Sequence, residues 1–168
     1  MKKKISGLLI LGILLILPLA KASDVKVEEV VDLQALSTKM QNEKLMLVLE
    51  FHAKHCAYCK QLEEEILKPM LISGDYNDLV AIKQLALDSE IPIIGFDGKL
   101  TSGSEMGKKM NIIVTPTLVF LDSAGKEVSE RIVGINTPEM FGAYVDAAID
   151  EARLTLPADV TETKKIEK

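Results

Sequence analysis

Residues 50–65 read EFHAKHCAYCKQLEEE, and this stretch holds both cysteines, Cys56 and Cys59, and both histidines, His52 and His55, of a 168-residue chain. It is preceded by LMLVLEF, residues 45–51, a continuous apolar run closed by Glu50 and Phe51 that predicts a buried strand. It runs on into CKQLEEEILKPM, residues 59–70, where Leu62, Ile66 and Leu67 recur at helical spacing and Pro69 predicts the helix end. The cysteine pair therefore opens a helix directly after a buried strand.

That placement has chemical consequences. A cysteine in the first turn of a helix faces unpaired backbone N–H groups and the positive end of the macrodipole, which favours thiolate over thiol. Cys56 is placed to be nucleophilic. Cys59, three residues on, shares its face and is spaced to close a disulfide with it. Its thiol must lose a proton before attacking a mixed disulfide. Glu50, at the end of an apolar strand where a carboxylate is costly, is the candidate acceptor, and burial should raise its pKa.

Outward from the pair, VDLQALSTKMQNEK (31–44) predicts an amphipathic helix, and DLVAIKQLALD (78–88) is best read as a second buried strand, although its period alone would also fit a helix. SEIPIIGFDGKLTSGS (89–104) is rich in Pro, Gly and Ser, and its Asp97-Gly98 predicts a tight turn in a small hairpin. SEMGKKMNI (104–112) predicts a short helix. TPTLVFLD (115–122) and VSERIVG (128–134), joined by SAGKE, predict an antiparallel hairpin. Helix TPEMFGAYVDAAIDEARL (137–154) follows, with Thr137 as its cap before Pro138. Pro116 can begin a strand after Thr115 with its peptide trans or cis.

The first 22 residues, three lysines, an apolar run from Ile5 to Leu19 and Ala20-Lys21-Ala22, predict a secretory leader cleaved after Ala22. The run is shorter than the ~20 apolar residues that span a bilayer, so membrane attachment is expected only if the leader is retained as an anchor. Four of the 20 basic residues lie in the leader, so the mature chain sets 16 basic against 25 acidic residues, a formal charge of −9 that argues against nucleic acid. The 146 residues that remain suit one domain, over 23–154, that needs no disulfide staple. Residues 155–168, polar and aromatic-free, read as a disordered tail. Export delivers Cys56 and Cys59 to a compartment where disulfides persist.

Taken together, these features resemble the thioredoxin-like thiol–disulfide oxidoreductases over roughly residues 30–150. The resemblance implies an α/β thioredoxin fold, a central mixed sheet with helices on both faces and the active site at a helix N-terminus. It implies that Glu50 stands where thioredoxins carry a buried aspartate, that Pro116 is the cis-proline with Thr115 before it, and that Gly134 matches the glycine after the last strand. It also departs from the thioredoxins proper. His55 replaces a tryptophan, Ala57-Tyr58 replaces Gly-Pro, and Gln84 stands where they have a lysine. Tyr58, Thr115 and the FDGKL insertion are closer to single-domain periplasmic thioredoxins of sulfur-oxidation systems and to the catalytic domains of bacterial disulfide isomerases. Only residues 23 to about 30 precede the fold, too few for the isomerases' dimerisation domain, so a monomer is expected.

The resemblance further implies protein thiol–disulfide exchange in the periplasm, with no cofactor beyond the Cys56–Cys59 pair. Reduction of envelope client proteins is expected, fed by an upstream redox donor, with oxidase or isomerase activity as the alternative. A client segment would lie extended beside Thr115 and Pro116 and against Ala57 and Tyr58, and a protonated His55 would favour the Cys56 thiolate. Two other uses of the cysteines compete. A purely structural bridge closes too short a loop to constrain much of the unfolded chain. A zinc or copper site of His52, His55, Cys56 and Cys59 has the right ligand types but draws them all from one short segment.

Overall fold

The computed structural model describes residues 25–155. The leader expected over 1–22 and the polar tail beyond Thr155 lie outside the described residues. In chain order the elements are β1 (Glu28–Glu29), α1 (Leu33–Glu43), β2 (Met46–His52), α2 (Ala57–Leu62), a π-helical stretch (Glu63–Leu67), α3 (Lys68–Ser73) and β3 (Val80–Ala86). They continue with β4 (Ile93–Ile94), β5 (Leu100–Thr101), α4 (Gly103–Lys109), β6 (Thr117–Leu121), β7 (Ile132–Val133), a 3-10 turn (Pro138–Met140) and α5 (Phe141–Thr155).

The continuous apolar run 45–51 becomes β2, the centre of a five-stranded sheet ordered β1-β3-β2-β6-β7. β2 pairs in parallel with β3 and antiparallel with β6, so the sheet is mixed as expected. Side chains alternate across it. Met46 and Val48 pack with Leu62, Leu67, Met70, Phe141 and Val145 on one face, while Leu47, Leu49 and Phe51 pack with Leu33, Leu36, Met40 and Met106 on the other. Both faces of β2 are covered, which is why its sequence shows no polar alternation. Each fully buried Leu or Phe in this layer contributes about 1.5–3 kcal/mol.

Local signals hold most of the helices. Asp32 caps α1 by accepting the Ala35 N–H at 2.8 Å, and Lys44 ends it in the left-handed region at φ 56°. Ser102 caps α4, accepting from the Glu105 N–H at 3.2 Å. The expected hairpin within 89–104 forms as β4–β5 with Gly98 at φ 73° in its turn.

Three expectations fail locally. Pro69 does not end the helix. It sits near the start of α3, and the helix runs on to Ser73, because the preceding turn widens to a π form in which the Lys68 N–H reaches back five residues to the Glu63 carbonyl. Gly74, left-handed at φ 75°, makes the stop instead. Thr137 occupies the cap position but makes no side-chain cap bond, and the helix starts there with a 3-10 turn. The strand expected over 128–134 contracts to Ile132–Val133, because the chain bows out after the Leu121–Glu127 bridge and Arg131 turns away from the sheet to bond the end of α4.

Candidate active site

Cys56 is the N-cap of α2, extended at φ −93°, with its sulfur accepting the Cys59 N–H at 3.1 Å. The two sulfurs are joined in a disulfide with the Cα atoms 5.2 Å apart. Cys59 is buried at 5% exposure while Cys56 is half-buried, so an incoming thiol or disulfide meets Cys56 first. Ala57 and Tyr58 between them are exposed, as is His55 before them.

The loop that presents the pair is fixed at both ends. The Leu87 N–H donates to the His52 carbonyl at 2.9 Å, and the Lys54 N–H donates to the Asp88 carboxylate at 3.0 Å. The second approach to the site comes from the segment before β6. Thr117 lies opposite Phe51 in the β2–β6 register, so Thr115 and Pro116 leave the sheet at the end where β2 delivers Cys56. The Thr115–Pro116 peptide is cis. The Gly134 N–H, from a glycine at φ 68°, donates to the Pro116 carbonyl at 2.8 Å. Ile113 and Val114, just ahead of Thr115, and Tyr58 are exposed large hydrophobics.

Beneath the disulfide a cleft of about 320 Å³ is lined by Glu50, His52, Cys56, Cys59, Lys60, Glu63 and Gln84 among others. Glu50 shares the sheet face of Met46 and Val48, the face covered by α2, and is 1% exposed. Neither of its carboxylate oxygens has a hydrogen-bond partner. Burial pushes its pKa up to about 7, the His52 charge pulls it down in part, and the carboxylates of Glu63 and Glu29 add to the rise. The carboxyl is therefore poised to take up and release a proton near neutral pH.

His52, two residues on along the same face, has its Nε2 2.5 Å from Glu29 Oε1 of β1. Burial disfavours the imidazolium, but the hydrogen bond to Glu29 and the charges of Glu29, Glu50 and Asp88 outweigh it and leave its pKa above the ordinary value. His52 is engaged with Glu29, the sulfurs are bonded to each other, and among the described residues no three His, Cys, Asp or Glu side chains gather in a metal-binding group.

The structure brings Cys56, Cys59 and Glu50 together around one cleft and sets Thr115 and Pro116 at the same end of the sheet. It adds residues that sequence patterning did not single out for the site: Lys60 and Glu63 on the cleft wall, and Glu29 behind His52. The strand period of two carried a signal for His52, since it places that side chain on the Glu50 face. Glu29 carried none, being 23 residues away in sequence.

Residues 33–149 match the thioredoxin-like domain family. Over 117 residues the chain is 23% identical to the thiol:disulfide interchange protein DsbD of Actinobacillus pleuropneumoniae, a match covering 69% of this chain and 18% of that protein. Among solved structures, the fold is similar to a thioredoxin from Thermus thermophilus (TM-score 0.52, 20% identity, 73% of this chain and 87% of that one). It is also similar to mitochondrial thioredoxin 3 of Saccharomyces cerevisiae (TM-score 0.50, 19% identity, 74% and 94%). With a Cys-x-x-Cys disulfide at the start of α2 and a family match across most of its length, the chain belongs to the thioredoxin-like domain family.

Proposed function

We propose that this chain is exported by its N-terminal leader and reduces disulfides of client proteins in the periplasm. The observation that carries the chemistry is the Cys56–Cys59 pair set over a buried, unpartnered Glu50. The name of the DsbD relative, thiol:disulfide interchange protein, fits the same exchange, although the chain spans only 18% of that protein.

In the reducing direction the Cys56 thiolate attacks one sulfur of a client disulfide. A Cys56–client bond forms, and the departing client sulfur leaves as a thiolate that takes a proton from solvent. Glu50 then accepts the Cys59 proton, and the Cys59 thiolate attacks Cys56. The Cys56–Cys59 bond forms as the Cys56–client bond breaks, and the second client thiolate leaves. One client disulfide has been reduced and one protein dithiol oxidised. Thr115 and Pro116 hold the client segment extended, Ala57 and Tyr58 border it, and His55 tunes the Cys56 thiolate. An upstream redox donor carrying a reduced dithiol returns the electrons and is itself left as a disulfide, and the chain works as a monomer.

Cys59→Ser removes the resolving thiol, so the variant should accumulate covalent client complexes in a periplasmic extract that Cys56→Ser does not form. Failure of both to differ would sink the exchange mechanism. The direction is read from the reduction potential of the pair by thiol trapping. A value near about −270 mV supports a reductase, and one near about −120 mV shows an oxidant.

A further inference from the structure

We propose that His52, held by Glu29, is the positioning residue that governs the proton on Glu50, supplying a half-buried counter-charge in the cleft beneath Cys56 and Cys59. The inference rests on Glu50 acting as the proton acceptor for Cys59, as argued above.

The geometry carries it. Glu50 and His52 stand two residues apart on β2, on the same face, and both line the cleft under the disulfide. Opposite Glu50 in the β2–β3 register is Gln84, which is neutral. The carboxylate has no hydrogen-bond donor, so its negative charge depends on nearby positive charge. Two lysines line the cleft rim, Lys54 and Lys60, and both are exposed side chains whose charge is screened by water. His52 is half-buried, with a side chain 18% exposed against 42% for Glu29. Its imidazole faces an acidic set drawn from several elements: Glu29 on β1, Glu50 on β2 and Asp88 after β3, while Glu63 of the π stretch and Glu64 bear on the cleft from above.

Nε2 is committed to Glu29, which holds the ring in place on the β2 face it shares with Glu50. The imidazolium favours ionised Glu50, the form that accepts the Cys59 proton. As the imidazolium loses its proton, Glu50 retains its own more tightly.

The test uses the reduced mature protein and a bis(nitrobenzoate) disulfide whose released thiolate is coloured, since the chain has no tryptophan to report the reaction. The first equivalent of colour reports attack by Cys56. The second reports resolution by Cys59, and the ratio of the two rates is followed against pH. Glu50→Gln should slow the second phase about 100-fold and flatten its pH dependence. His52→Gln should move the midpoint of the second phase up by about one pH unit, making it about tenfold slower below that midpoint. His52→Lys, with a permanent charge, should return the midpoint to or below the wild-type value. If Glu50→Gln flattens the profile but His52→Gln and His52→Lys share the wild-type midpoint, the role given to His52 is wrong while that of Glu50 stands. If Glu50→Gln leaves the second phase as it is, Glu50 is not the acceptor and both fall.

Discussion

Glu50 pairs in register with Gln84 across the two central parallel strands, and no donor from Gln84 or any other described residue reaches its carboxylate. A buried acid left in this state binds its proton more tightly in the folded chain than in the unfolded one. Its pKa rises from 4.5 to about 7, so the stability linked to protonation is fully present below about pH 4.5 and is lost as pH rises through 7. His52 has the same sign, its pKa also being raised, so its contribution too fades as pH rises past the imidazole range. Wild-type protein should therefore lose stability steadily across that window, on the order of 3 kcal/mol in all. Glu50→Gln should be markedly less pH-dependent and more stable than wild type at pH 8. Urea titrations at pH 5 and pH 8 measure this, and a wild-type stability that rises between them would contradict it.

Gly103, the first residue of α4, is fixed by a close approach. A Cβ there would stand 1.9 Å from the carbonyl oxygen of Ala86, the last residue of β3. That oxygen belongs to the backbone and cannot step aside cheaply. Gly103→Ala should cost about 2–3 kcal/mol by forcing α4 away from β3. A cost under about 0.5 kcal/mol in chemical denaturation would show that α4 has room to shift.

The main lines of the fold were legible in sequence because they rest on local patterns. The apolar run 45–51 is a strand buried on both faces, and the cysteines sit where that strand gives way to a helix. What was not legible depends on distant partners. β1 is two glutamates, Glu28 and Glu29, which no propensity marks as a strand. It exists because it pairs with Lys83 and Gln84 of β3, and Lys83 forms an ion pair with Glu28. Pro69 misled because the five-residue π stretch Glu63–Leu67 before it absorbs the proline, and that stretch leaves no sequence signature of its own. The acid at position 50 was readable as a strand-end carboxylate. Its dependence on His52 became visible only when β1 brought Glu29 beside that ring.

Arg131 links the bow before β7 to the end of α4, donating to the Met110 carbonyl at 2.9 Å while its guanidinium also pairs with Glu127. Met110 and Asn111 begin the segment that leads to Thr115 and Pro116, and Asn111 is held at φ 54°. Arg131→Met should release that segment and cost about 1–3 kcal/mol, since it leaves the Met110 carbonyl and the Glu127 carboxylate without this partner. In exchange assays with a peptide disulfide, KM should rise severalfold with a smaller change in kcat. An equal fall in kcat with KM constant would instead place Arg131 in the chemical step.

The insertion between β3 and α4 is built into the core rather than laid over it. Ile93 is 4% exposed and packs in the cluster under α1, and Phe96 lies so close to Gly125 that a Cβ on that glycine would meet its ring at 2.6 Å. Leu100 in the same hairpin is instead 74% exposed. Ile93→Ala should therefore destabilise the whole domain by about 2–4 kcal/mol, as for other large-to-small core changes. Leu100→Ser should leave stability within about 0.5 kcal/mol, as expected for a surface change. Client capture by Cys59→Ser separates the two roles of the hairpin. If adding Leu100→Ser leaves the captured clients as they were, the hairpin serves to close the sheet face beneath α1. If it depletes a particular client, the exposed edge of β5 is part of what selects it.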